Sequence, residues 1–367
     1  MVAKQRFHFI DEFRGLIGIM MALGHSNYYF NHVWWSLDPL DPFFDTTGQF
    51  WLRYMGYLCA PGFLMMNGAM VYYAYWRRIQ GGRSHAGARW DFIQRGLFLI
   101  AVQLLWVNAS WSGFARLRLG HYGIIATIGT SMLILVWMVR WRWQWRLLVA
   151  ALVFVVHPLL LRIPYDHHGW AHVPMQLLVD AGSFNKYPVL PWFALACLGS
   201  VLAHFWFSVW PDDPTRARNS MLIGIGLVLA AWGVRWFGGE WGNLFPHGRF
   251  LSWAFCLVQK YPPSPAHQLW FAGAVIFMVG LFCRVGIHGK WLRPLSTVGR
   301  VPLFFYVVHI PLLAIFTRRL GIYYRQGAVL ASFVGLAGLL LVMLPAARWF
   351  GGVKRRYART NWLIRMM

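Results

Sequence analysis

Asp11, Arg14, His25 and His32 interrupt the otherwise apolar run FIDEFRGLIGIMMALGHSNYYFNH. A carboxylate can orient a guanidinium, a guanidinium can hold phosphate oxygens, and an imidazole can take or carry a proton near neutral pH. At about 100° per residue, Arg14 to His25 advances roughly three turns and His25 to His32 roughly two, so a continuous helix would carry all four on one face. With a rise of 1.5 Å per residue, His25 would lie about 16 Å beyond Arg14 and His32 about 10 Å further. Ionisable groups at membrane depth cost on the order of 3 kcal/mol each, so such a face turns towards a partner, a substrate or a water-filled path. His25 lies in the middle of that face, with His32 as a second histidine nearer the far end.

The elements that position this stripe are membrane helices. Hydrophobic residues make up 58% of the 367-residue chain, and apolar runs near the spanning length recur from end to end. The expectation is an all-α, polytopic transmembrane bundle in one domain over 1–367. Ten spans are expected, near 13–33, 51–76, 93–112, 121–139, 146–161, 189–210, 220–237, 266–285, 299–317 and 327–346, followed by a basic cytoplasmic tail at 347–367. The runs at 146–161 and 220–237 are short enough to be tilted, re-entrant or extended into their flanks. With the N-terminus inside, twenty lysines and arginines fall on the inner side and nine on the outer, which favours N-in, C-in. The basic turn RRLGIYYR at 318–325 runs against that bias. The same distribution accounts for most of the net charge of +23 and argues against nucleic-acid binding.

Other polar groups are scattered through the spans: Asn67, Gln103, Asn108, Thr127, Ser131, Arg300, Tyr306 and His309. Taken singly, each reads as an interhelical hydrogen bond. Nine residues separate Arg300 from His309, which would set them on opposite faces of one span. Asp38, Asp41 and Asp45 lie among aromatics in an outer loop that suits either a membrane interface or sugar binding. His167, His168 and His172, spaced HH-x3-H, lack the neighbouring Cys or Glu that would make a metal site, and no metal is expected. Cys59, Cys197, Cys256 and Cys283 have no paired spacing and indicate neither a disulfide framework nor a metal centre.

The spacing R-x10-H of Arg14 and His25, after Asp11 and before Gly15, resembles the first-helix signature of membrane acyltransferases of the acyltransferase-three type. More of the chain resembles bacterial membrane proteins related to heparan-α-glucosaminide N-acetyltransferase. The matching pieces are IDEFRGLIGIMMALGH, FDTTGQFWLRYMGYLCAPGFLMMNG, VNASWSG with YGIIATIGTSM, YPVLPW, KYPPSP and VGRVPLFFYVVH, in the expected order.

The resemblance implies an enzyme that moves an acyl group, typically acetyl, from cytoplasmic acetyl-CoA or another acyl-CoA to a sugar or glycan across the membrane. It sets the protein in a bacterial cytoplasmic (inner) membrane among lipids, and a homodimer would be in keeping with it. Asp11, Arg14 and Arg300 would then meet the donor, His25 would act as base, and His32 would position the acceptor or share the proton. Asn108 or Asn67 would hydrogen-bond a developing oxyanion. In the glucosaminide branch an asparagine aligns with His25 and a histidine nearer the lumenal end carries the acyl group, a place that His32 matches here at shorter spacing. Direct transfer and an acyl-histidine relay therefore both remain open, as does a glycan or lipid transporter without acyl chemistry.

Overall fold

The computed structural model describes residues 7–35, 46–285 and 292–367. Those residues are all-helical, with no strand among them, and they cluster into two compact units. The first unit comprises the N-terminal region to Cys59, residues 109–117 and the region from Met278 to the end. The second comprises 60–108 and 118–277.

In the first unit, α1 (His8–Phe30) is followed by the short α2 (Thr47–Met55), whose first turn is capped by the Thr46 side chain accepting from Gln49 N–H. The expected span at 51–76 is thus broken. A tight turn at Gly56–Leu58 separates α2 from α3 (Cys59–Gln80), which runs into the second unit.

The second unit continues with α4 (His85–Ser110), α5 (Gly123–Met138), α6 (Trp143–Leu160), α7 (Val189–Val209), α8 (Asp213–Phe237) and α9 (Pro265–Val285), whose last residues belong to the first unit. Back in the first unit, the amphipathic α10 (Arg293–Arg300) leads to α11 (Pro302–Arg319) and the long α12 (Val329–Tyr357).

By length and composition, seven of these helices can cross a membrane: α4, α6, α7, α8, α9, α11 and α12. At 16 residues, α5 is apolar but short. Helices α1 and α3 have the length, at 23 and 22 residues, but are more polar than the seven. The two short runs extend into their flanks, to 18 residues in α6 and 25 in α8. The last span does not stop at 346, because α12 continues through Lys354, Arg355 and Arg356 to Tyr357, absorbing half of the expected tail.

Helix contacts are made at glycines, the usual device where lipid supplies no hydrophobic drive between helices. In the first unit α1 and α10 cross backbone to backbone: a β-carbon on Gly15 would collide with the Leu295 carbonyl, and one on Gly299 with the Asp11 carbonyl. In the second unit Gly68 of α3 and Gly199 of α7 meet the facing backbone at Ala196 and Met65 in the same way. The central helix there is α7, in which Trp192, Ala196 and Cys197 are fully buried.

Candidate active site

The first unit builds its polar site on α1. One helical turn before its end, His25 Nδ1 lies 2.7 Å from His309 Nε2 of α11, the two rings parallel within 5°. His309 is fully buried, and its Nδ1 donates to the Phe305 carbonyl one turn earlier, at 2.7 Å. A carbonyl only accepts, so Nδ1 of His309 carries hydrogen and, with both rings neutral, Nε2 is a lone pair. His25 must then donate from Nδ1, which leaves its own lone pair at Nε2. Two hydrogen bonds thus fix the tautomer and the orientation of His25, the arrangement that a general base requires.

Aromatic rings enclose the pair. Trp111 meets the His25 ring edge-on at 5.0 Å and Tyr306 at 6.1 Å. Trp111 sits in a tight turn where Gly113 and Phe114 both have positive φ, and its carbonyl accepts from Tyr29 Oη at 3.2 Å and Arg318 Nη1 at 2.9 Å. The turn after α11 is held against the same end of α1. Arg325 N–H donates to the Tyr29 carbonyl at 2.9 Å, and the Arg325 guanidinium lies over the Tyr28 and Tyr324 rings at 5.1 and 4.8 Å. The basic RRLGIYYR turn therefore forms an arginine–aromatic rim beside the histidine pair.

His32 does not continue the stripe. Asn31 leaves helical geometry at φ −86° and ψ 126°, and its side chain donates to Asn27 Oδ1 and Gln49 Oε1 at 2.8 and 2.7 Å. Ser332 of α12 also donates to Asn27 Oδ1, at 3.0 Å. This buried amide cluster ends the helix, so His32 stands in extended chain rather than two turns above His25. There its N–H and its Nδ1 both donate to the Gly327 carbonyl, at 2.9 and 2.8 Å, which leaves Nε2 as its lone pair in the neutral form.

At the other end of α1, Asp11 Oδ2 lies 3.9 Å from Arg300 Nε, so Arg300, the last residue of α10, joins Asp11 and Arg14 at one end of the unit. Arg300 and His309 do not share a helix as expected. Val301, at φ −134° and ψ 50°, breaks the chain because the residue before a proline is pushed out of helical geometry, and α11 starts only at Pro302. Glu12, passed over in the sequence, is fully buried, and neither of its carboxylate oxygens has a hydrogen-bond partner among the described residues.

Asn108, which the resemblance implied as an oxyanion donor, lies in the second unit. Its amide donates to the Arg118 and His121 carbonyls at 2.7 and 2.8 Å, and its Oδ1 accepts from Gln103 at 2.8 Å. Both amide hydrogens are committed to clamping the 118–121 loop. Burial holds the His121 imidazole in that loop below its usual range, against a 3.3 Å bond from its Nδ1 to the Ser183 carbonyl. The Asn67 amide reaches the Ile128 carbonyl only at 3.5 Å.

Among the described residues no group of three His, Cys, Asp or Glu side chains is placed to hold a metal, and all four cysteines are free thiols. His167 and His168 are exposed. Asp38, Asp41 and Asp45 lie outside the described residues.

Seven helices long and apolar enough to cross a membrane point to a multi-pass membrane protein, whose first unit holds a hydrogen-bonded histidine pair ringed by aromatic side chains. Residues 6–232 match the family model described as heparan-alpha-glucosaminide N-acetyltransferase, catalytic, and the chain belongs to that family of membrane transferases. Among curated proteins none matches it.

Proposed function

We propose that the protein transfers an acyl group, acetyl by family, from an acyl-CoA thioester to a hydroxyl or amine of a sugar or glycan, with His25 as general base. The observation that carries the reading is the His25–His309 pair, whose bonding leaves the His25 lone pair at Nε2. Nε2 takes the proton of the acceptor O–H or N–H as that atom bonds to the thioester carbonyl carbon. The tetrahedral adduct then collapses, the C–S bond breaks, and the CoA thiolate recovers the proton from His25. A thioester is already activated, so base assistance to the acceptor, typically worth about 10²–10⁴-fold, contributes where the barrier is highest.

Arg14, with Arg300 beside Asp11, supplies guanidinium groups for the phosphates of the donor. About 16 Å of α1 separates Arg14 from His25, so the donor's thioester arm runs along this helix to the base. The acceptor enters past the rim of Tyr28, Trp111, Tyr324, Arg318 and Arg325, where aromatic faces suit sugar rings and guanidinium groups suit their hydroxyl and acidic substituents. His32 positions the acceptor from the extended chain at that end. Arg14 lies on the cytoplasmic side and His25 nearer the outer side of a bacterial inner membrane in this reading, with both termini inside.

The test is turnover of radiolabelled acetyl-CoA by the purified protein, wild type against His25→Ala and His32→Ala. Loss of transfer in His25→Ala with no trapped label on the wild type supports direct transfer. Label on the wild type that vanishes only in His32→Ala establishes the acyl-histidine relay instead. Acceptor movement without donor consumption would make the protein a transporter.

A further inference from the structure

Acyl transfer puts negative charge on the former carbonyl oxygen of the thioester, and a fixed donor aimed at that oxygen is commonly a large contribution to rate. Asn108 does not supply it, because both of its amide hydrogens are bonded to loop carbonyls in the second unit. A donor is needed beside His25 itself. Trp111, in the segment VNASWSG, lies there: its ring centroid is 5.0 Å from that of His25, with the planes at 76°. The side chain is partly exposed, and its indole Nε1–H has no acceptor among the described residues. The indole N–H groups of Trp76, Trp192 and Trp232 also lack one, but those nitrogens are buried, whereas that of Trp111 is accessible.

An indole N–H only donates, so it does not compete with His25 for a proton. The ring is also held still. It stacks on Tyr29 at 6.0 Å and meets Tyr28 edge-on at 5.2 Å. The backbone around it is a closed turn, in which Gly113 N–H donates to the Ser110 carbonyl at 2.9 Å and Phe114 N–H to that of Ala109 at 3.0 Å. Gly113 takes φ 61°, which favours glycine, and a β-carbon there would meet Arg319 Cγ at 2.8 Å, so the turn packs against the end of α11. With the Trp111 carbonyl accepting from Tyr29 and Arg318, the residue is fixed by its main chain as well as its ring. A donor held in place beforehand costs no reorganisation when charge develops.

We infer that Trp111 is a catalytic residue of the acyl transfer, its indole N–H donating to the oxyanion of the tetrahedral adduct. The inference rests on the acyl-transfer reading of the site. As the acceptor oxygen or nitrogen bonds to the thioester carbon, its proton passes to His25 and the carbonyl π pair moves onto oxygen, where the Trp111 N–H meets it. On collapse the C=O bond re-forms, the C–S bond breaks with its electron pair on sulfur, and the thiolate takes the proton from His25. Trp111 keeps its hydrogen throughout.

The experiment uses the full chain in detergent and compares wild type with Trp111→3-benzothienylalanine, introduced by nonsense suppression, and with Trp111→Phe. The benzothienyl side chain keeps the bicyclic ring and exchanges only the N–H for sulfur. Release of free thiol from acetyl-CoA is followed with glucosamine as acceptor and with water alone; water passes through the same oxyanion, so the readout does not depend on the sugar. Size-exclusion profile and melting temperature establish that each variant is folded. The expected result is a loss of about 100-fold in kcat in both variants, with the KM for acetyl-CoA and the melting temperature of the benzothienyl variant unchanged. Wild-type kcat in the benzothienyl variant overturns the inference, and a rise in glucosamine KM alone makes Trp111 a stacking surface for the sugar and overturns it too. Either result leaves acyl transfer standing where wild type turns over and His25→Ala does not. A wild type that consumes no acetyl-CoA overturns the acyl-transfer reading and this inference with it.

Discussion

At the scale of single residues, the proposed chemistry depends on which ring nitrogen of His25 carries the lone pair. His309 decides this by accepting at Nε2, because its own Nδ1 is held by the Phe305 carbonyl. His25→Ala is expected to lower turnover at least about 100-fold with the melting temperature little changed, since the residue is only partly buried. His309→Ala leaves His25 free to rotate and change tautomer, and should cost about 10–100-fold in kcat with the acceptor KM unchanged. His309→Gln, whose amide can accept from His25 and donate to Phe305, should restore part of that loss; a purely structural role would give no such rescue. Asn108 belongs to a different class. With both amide hydrogens on loop carbonyls, Asn108→Leu is expected to lower the melting temperature by the equivalent of about 1–3 kcal/mol, measured by thermal unfolding, while the folded fraction keeps its kcat. Part of this candidate site was legible in the chain. His25, Arg14 and Asp11 stand out because ionisable groups in an apolar run demand an explanation. His309 was visible only as one more intramembrane polar residue, since nothing in local spacing connects positions 284 residues apart.

At the scale of elements, α1 works only if α10 lies directly against it. Gly15 and Gly299 allow that contact, and the crossing brings Arg300 to Asp11. Gly299→Val would force the two backbones apart. It is expected to destabilise the protein by at least about 1–3 kcal/mol and to reduce donor binding along with stability, as read from thermal unfolding and acetyl-CoA titration. The turn after α11 is the second positioning element. Arg318→Gln and Arg325→Gln should raise the acceptor KM several-fold with kcat little altered, checked by steady-state kinetics at saturating donor. Apolar runs located most of the helices, but they misjudged the ends. The break at Val301 follows from Pro302 and was readable. The break at Asn31 arises from amide contacts with Gln49 and Asn27, which no helix-forming tendency of the segment discloses. A helix stripe ending in His32 was therefore extrapolated one turn too far.

At the scale of the whole molecule, the RRLGIYYR turn has a reason to be basic that is independent of topology, because its arginines cover the rings beside His25. Charge counted loop by loop treats every arginine as a topological signal, whereas this turn is engaged in tertiary contacts. The N-in, C-in reading is tested by single cysteines in a chain whose native thiols are replaced. A cysteine at Gly321 should react with an impermeant maleimide added to intact cells, and one at Thr360 only after permeabilisation; the reverse pattern would invert the orientation.

The chain by itself determined that the protein is helical and multi-spanning, and that ionisable groups gather on the first helix. Both follow from the cost of placing backbone and charge in hydrocarbon, a cost paid locally along the sequence. Only the tertiary structure decided that His309 bonds to His25, that the Asn108 amide bonds to the 118–121 loop and that His32 leaves the helix. Those assignments depend on which distant donor reaches which acceptor, and such pairing is set by helix crossing and burial rather than by spacing.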